Sequence, residues 1–139
     1  MRFQGKLSRE GKQWLAEVAL FDAMTQGRTR AEALGMIADW FATMADRRNF
    51  AVRVVNASGP TFEIAADDSR PIISLLLRRQ RQKSGLSLAA VAERLGAKSR
   101  NAYARYEQGN TAPTVEKLVE LLHAIAPDRD LLVDLSRAA

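Results

Sequence analysis

Ser87–Gly109 reads SLAAVAERLGAKSRNAYARYEQG, and its spacing predicts two short helices joined by a turn. Val91, Ala92 and Leu95 fall on the inner side of the first helix, Tyr103 and Tyr106 on that of the second. Gly96 stands between them, and glycine suits a helix end because it takes positive φ without a Cβ penalty. Ser87 and Ser99 suit the two helix starts, where a hydroxyl accepts a free backbone N–H. The second helix is then expected to turn Arg100, Asn101, Ala104, Arg105 and Gln108 outward. Such side chains reach phosphates or donate to base edges in a major groove.

Upstream, Ile73, Leu76 and Leu77 lead into the basic run Arg78, Arg79, Arg81 and Lys83; downstream, Asn110–Thr114 opens an amphipathic helix through Leu118, Leu121 and Leu122. In order and spacing this region resembles the xenobiotic-response-element or Cro/C1 repressor family of helix-turn-helix domains. The resemblance implies sequence-specific binding of double-stranded DNA, with Ser99, Arg100, Asn101, Ala102 and Arg105 at reading-helix positions and Glu107 as a structural acid. Lys98 joins them on charge and placement. Two departures stand out. Leu88 replaces the glutamine that commonly braces the reading helix, and Ala97-Lys98 occupies a place where one apolar residue is common, which lengthens the turn by a residue.

A chain of 139 residues with 47% hydrophobic content and regular apolar patterning is expected to be globular, with one ordinary domain or two small ones. It has no cysteine, which removes disulfides, thiolate zinc sites and a cysteine nucleophile together. The single histidine, His123, sits late in the last apolar helix and reads as a helix-end or solvated residue, so no catalytic role, metal or cofactor is assigned. No apolar run is long enough to cross a bilayer, and MRFQGKLSREGKQW shows no secretory pattern, so a cytoplasmic protein is expected, associated with the nucleoid when on DNA. The net charge of +5 is uneven. Residues 1–70 hold 10 Lys/Arg against 9 Asp/Glu, whereas residues 71–139 hold 11 against 7, so the half with the helix pair is the basic one, as a polyanion partner favours.

The first half has its own pattern. Phe3–Leu7 and Trp14–Leu20 read as strands around a Ser8–Gly11 turn, the second alternating Trp14, Ala16, Val18 and Leu20 on one face. Ala23–Gly27 is a third extended piece, and Thr29-Arg30-Ala31-Glu32 is a capping box opening a helix whose stripe is Leu34, Ile37, Ala38, Phe41 and Met44 or Ala45. Phe50–Val55 returns as a strand, and Thr61–Ile64 is expected to close the edge. Trp14, Trp40, Phe41 and Phe50 have core spacing. The polar bridge Ala66–Pro71 reads as a linker, giving an α+β chain: a small β-β-β-α-β module over 1–69, then an all-α domain of about five helices over 70–139. Leu131, Leu132, Val133 and Leu135 are placed on a short last helix that seals the core or pairs with a second copy.

Thr25-Gln26-Gly27, then Thr29 and the Ala31–Leu34 helix start, resemble the N-terminal partial ribonuclease-H-like domain of HicB-type antitoxins, and the helix pair that follows strengthens the likeness. The resemblance implies two partners: a HicA-type messenger-RNA-cleaving toxin, blocked by the first module through residues that stay unassigned, and the chain's own operator, bound by the second. The segment Leu20–Met24 is shorter than the family's usual connection at that point, and the near-neutral first half lacks the acidic face expected opposite a basic toxin. A homodimer or higher even oligomer is expected, since one small reader makes few base contacts. The alternative is a stand-alone repressor whose first module senses a small molecule or oligomerises. Nuclease chemistry needs converging carboxylates, and the strands offer only Glu17 and Glu63 with Asp39 on the helix; no phosphate loop or serine-hydrolase turn occurs either, so no enzyme is read.

Overall fold

The computed structural model describes residues 1–139, with strands β1 (Arg2–Glu10), β2 (Gln13–Val18), β3 (Ala23–Gly27), β4 (Arg53–Ser58) and β5 (Thr61–Ala65). Its helices are α1 (Arg30–Ala45), α2 (Ser69–Lys83), α3 (Leu88–Arg94), α4 (Asn101–Glu107) and α5 (Val115–Ile125). The chain divides into two compact units, Met1–Ile72 with Ala139, and Ile73–Ala138.

The first unit is an antiparallel sheet of order β3-β2-β1-β5-β4. The α+β class expected from the sequence is what is found, with one difference in the sheet. The Thr61–Ile64 piece does not close the edge: β5 pairs with β1 on one side and β4 on the other, and β4 is the edge. Gly59-Pro60 makes a tight β4–β5 turn, so the two strands enter the sheet as a hairpin.

Alternation along the strands decides what is buried. Leu7 on β1, Ala16 and Val18 on β2, and Phe62 and Ile64 on β5 are buried, together with Ala33, Ile37 and Phe41 of α1. Helix α1 starts as its sequence dictates, Thr29 Oγ1 accepting the Glu32 N–H at 3.1 Å. The reciprocal half of the box is displaced by one residue, because the Glu32 carboxylate takes the N–H of Arg28 at 3.1 Å in place of that of Thr29. The expected inward Leu20 is exposed. β2 stops at Val18, a 3-10 turn over Ala19–Phe21 rotates the chain, and Phe21 enters the core, where its ring meets Phe3 and Phe41 edge-on at 5.0 and 4.9 Å. Edge-to-face pairs of this kind add about 1 kcal/mol each beyond area burial.

Gly27 lets α1 lie close to the sheet. A Cβ there would come within 2.5 Å of the backbone nitrogen of Ala33, and Thr25 Oγ1 donates to the Ala33 carbonyl at 3.0 Å in the same place. Backbone atoms cannot step aside as a side-chain tip can. Gly27→Ala is therefore expected to destabilise the first unit by about 1–3 kcal/mol, the usual range for overpacking. Urea unfolding followed by tryptophan fluorescence checks this, since Trp14 and Trp40 both lie in that unit; an unshifted midpoint would show the helix free to lift.

In the second unit Ile73, Leu77, Val91, Ala92, Tyr103, Tyr106, Leu118, Leu121 and Ile125 form one core. Helix α2 begins at Ser69, inside the stretch read as a linker: Asp68 Oδ1 accepts the Arg70 N–H at 3.0 Å, and Pro71 falls in the first turn, where its missing N–H is not needed. Four helices lie from Ser69 onward, and with α1 the chain has five. The short last helix expected through Leu131–Leu135 does not form; Leu131 packs against the core, while Leu132 and Leu135 are 92% and 95% exposed.

Candidate nucleic-acid interface

Helix α3 is punctuated at both ends by the residues that predicted it. Ser87 Oγ accepts the Ala90 N–H at 3.0 Å. At the other end Gly96, with φ +71°, donates to Glu93, and Ala97 donates back to Ala92, each at 2.9 Å. These two bonds satisfy carbonyls left over by the last turn, and they require the left-handed conformation that glycine adopts at no steric cost. Six residues, 95–100, then separate α3 from α4. Helix α4 begins slightly later than expected, at Asn101. Ser99 caps it from outside, Oγ accepting the Asn101 N–H at 3.2 Å, and the first turn is tight, with Ala102 N–H on the Ser99 carbonyl at 3.1 Å.

Helical geometry then sorts α4 into two sides. Tyr103, Ala104 and Tyr106 are buried, whereas Asn101, Ala102, Arg105 and Gln108 are exposed. Ala104, expected outward, faces the core because at 100° per residue it shares the inner side with its neighbour Tyr103. Lys98, Ser99 and Arg100 are exposed on the turn. All six sequence-predicted site residues thus lie at the surface, three leading into α4 and three on its outward side. They are not equally mobile: the Arg105 guanidinium sits 5.0 Å from the Tyr106 ring centroid and Nη2 donates to the Tyr106 hydroxyl at 3.3 Å. His123 is exposed in the last turn of α5.

Arg81 turns away from this surface. Its Nε and Nη2 donate to the two Glu107 carboxylate oxygens at 2.6 and 3.1 Å, and Nη1 donates to the Leu86 carbonyl at 2.9 Å. Tyr103 donates its hydroxyl to the same carboxylate at 2.9 Å. The side chains are 15% and 8% exposed for Arg81 and Glu107, so this fork ties the end of α4 to α2 within the core. The Arg81 guanidinium is held protonated more firmly than usual, first by the hydrogen bond to Glu107. The structural-acid role of Glu107 follows from the resemblance to the Cro/C1 repressor family, whereas Arg81 reads in the sequence only as one of a basic run.

Burial and the adjacent Glu107 charge push the Tyr103 phenol above its ordinary value of 10.0. The folded unit favours the protonated phenol, so the stability it contributes is whole below about pH 10 and is lost as pH rises further. Denaturant midpoints of the second unit should fall as pH rises above about 10 in the parent and less steeply in Tyr103→Phe; parallel slopes would show that the phenol ionises without cost.

Residues 77–137, less than half of the chain, match the helix-turn-helix family model. That part of the chain is a helix-turn-helix domain, which supports a DNA-binding regulator. No curated protein matches the sequence. No helix is long and apolar enough to cross a membrane.

Proposed function

We propose that this chain is a transcriptional repressor of the HicB antitoxin type. Its helix-turn-helix unit binds the operator of its own operon as a homodimer or higher even oligomer, and its α+β unit binds and neutralises a HicA-like toxin that cleaves messenger RNA. The observation that carries the DNA half is the outward side of α4 and the turn before it: Lys98, Ser99, Arg100, Asn101, Ala102 and Arg105 are exposed while Tyr103 and Glu107 anchor the opposite side. An anchored helix with donors on its free side is what major-groove readout needs. The toxin half rests on the Thr25-Gln26-Gly27 and Thr29 resemblance followed by a helix-turn-helix.

Co-expression with the neighbouring reading frame, purification of the pair and a gel shift on the upstream DNA test both halves. A small basic partner that co-purifies, with a shift on that DNA, supports the antitoxin. A shift without a partner favours the stand-alone repressor, whose first unit senses a ligand or oligomerises; the near-neutral charge of residues 1–70 is the observation on its side. No shift on any DNA at low salt overturns the DNA half.

Lys98, on the turn, is expected to touch phosphate and not bases. Lys98→Ala should weaken binding to operator and random DNA alike and lower the slope of log affinity against log salt by about 1 per subunit. An unaltered slope would place Lys98 off the duplex.

A further inference from the structure

On β1, β2 and β5 the side chains that alternate with the buried ones, Gln4, Lys6, Glu17, Thr61 and Glu63, point away from α1. They line a hollow of about 520 Å³, walled by Ala19 and Leu20 of the 3-10 turn and by Asn56, where β4 breaks its register with φ +51°. Small-ligand sites span about 300–1,000 Å³. The Glu63 carboxylate is already satisfied, by Arg2 at 3.2 Å and by the Asn56 side-chain amide at 2.7 Å. Lys6 and Glu17 are not. They stand directly opposite each other on the β1–β2 ladder, yet neither side chain is ion-paired or hydrogen-bonded. With Glu63 neutralised by Arg2, the hollow offers one free positive group beside one free negative group.

We infer that this hollow binds a free aliphatic α-amino acid, whose ammonium donates to the Glu17 carboxylate and whose carboxylate accepts from Lys6. Ligands of a single sign fit less well, because a phosphate or nucleotide meets Glu17 and a polyamine or metal ion meets Lys6. A zwitterion answers both groups at once. The ladder sets the spacing: side chains directly opposite start from Cβ atoms about 4.5–5.5 Å apart, within reach of two charged substituents on one carbon. Charge-assisted hydrogen bonds at both ends then fix the ligand's orientation. Ala19 and Leu20, the latter 42% exposed, give its side chain an apolar wall. The site lies wholly within the first unit and needs neither toxin nor DNA.

The experiment titrates the full chain with L-leucine, and separately with N-acetyl-leucine and leucinamide, which lack the ammonium and the carboxylate respectively. Heat of binding and backbone amide shifts are read together. The expected result is saturable leucine binding at millimolar concentration or below, with shifts gathered at residues 4–6, 17–20 and 61–63. Each derivative should bind about tenfold or more weakly, the loss of one charged hydrogen bond. Lys6→Gln should weaken leucine by a similar factor and leave leucinamide unaltered, whereas Glu17→Gln should weaken leucine and leave N-acetyl-leucine unaltered. Neither side chain has a partner in the fold, so urea midpoints of both variants should match the parent. No saturation by millimolar leucine overturns the assignment, as does equal affinity for the three ligands or tighter binding of inorganic phosphate.

Discussion

Glu107→Ala should leave the second unit unfolded, or close to it, at room temperature. The substitution strands the Arg81 guanidinium, 15% exposed, without its acid and deprives the Tyr103 hydroxyl of its acceptor. Removing one partner of a buried pair costs about 3–5 kcal/mol, since the remaining charge is desolvated and uncompensated. A unit spanning Ile73–Ala138 has a total stability of only a few kcal/mol at roughly 0.05–0.15 kcal/mol per residue, so the loss is of the same size as the whole. Helical circular dichroism during urea unfolding is the measurement. The triple change Arg81→Met, Tyr103→Phe and Glu107→Leu should recover most of the loss, because exchanging an entire buried polar set for apolar groups of similar volume is often close to neutral. A single variant within about 1 kcal/mol of the parent would mean that the fork is solvated and carries little energy.

The fork was half legible in the sequence, and the reason is range. Tyr103 and Glu107 are four residues apart on one helix, a spacing that places them together wherever the helix forms. Arg81 lies 26 residues from Glu107, and nothing local distinguishes it from Arg78, Arg79 or Lys83 beside it. The same division runs through the fold. The caps at Thr29, Ser87 and Thr114 and the stop at Gly96 are local chemistry, and the sequence places those helix ends within about two residues, as caps allow. Strand order is not local. The hairpin of β4 and β5 fits the pattern of its residues equally well at the edge or beside β1, and only the pairing of Phe3 with Ile64 and Gly5 with Phe62 decides between them. Phe21 went unread as core for a related reason: its inward turn depends on the 3-10 turn and on Asp22 at φ 52°, which no periodicity signals. The Leu131–Leu135 run shows the opposite failure, since apolar content alone suggested a helix that lacks both a cap and an inner side.

On the proposed reading, the double variant Arg100→Ala/Asn101→Ala should fold like the parent and lose its preference for operator over random DNA. Both side chains are exposed, Arg100 at the entry to α4 and Asn101 at its first residue, while the buried anchors Tyr103, Tyr106 and Glu107 are untouched. Arginine pairs with guanine and asparagine with adenine in the major groove, and each such contact discriminates by about 1–3 kcal/mol. Losing both in one subunit removes about 2–6 kcal/mol of preference, at least about 30-fold in affinity ratio, and a dimer loses them in each half-site. Arg105 should behave differently. Its guanidinium lies against Tyr106, so Arg105→Lys forfeits stacking and planar donors together and is not a conservative change. Fluorescence anisotropy on operator and scrambled duplexes at matched salt separates these roles. The double variant should bind scrambled DNA less weakly than Lys98→Ala does, and operator DNA more weakly. Equal losses on the two duplexes would show that Arg100 and Asn101 touch only phosphate, and would move base reading to Arg105, Gln108 or another surface.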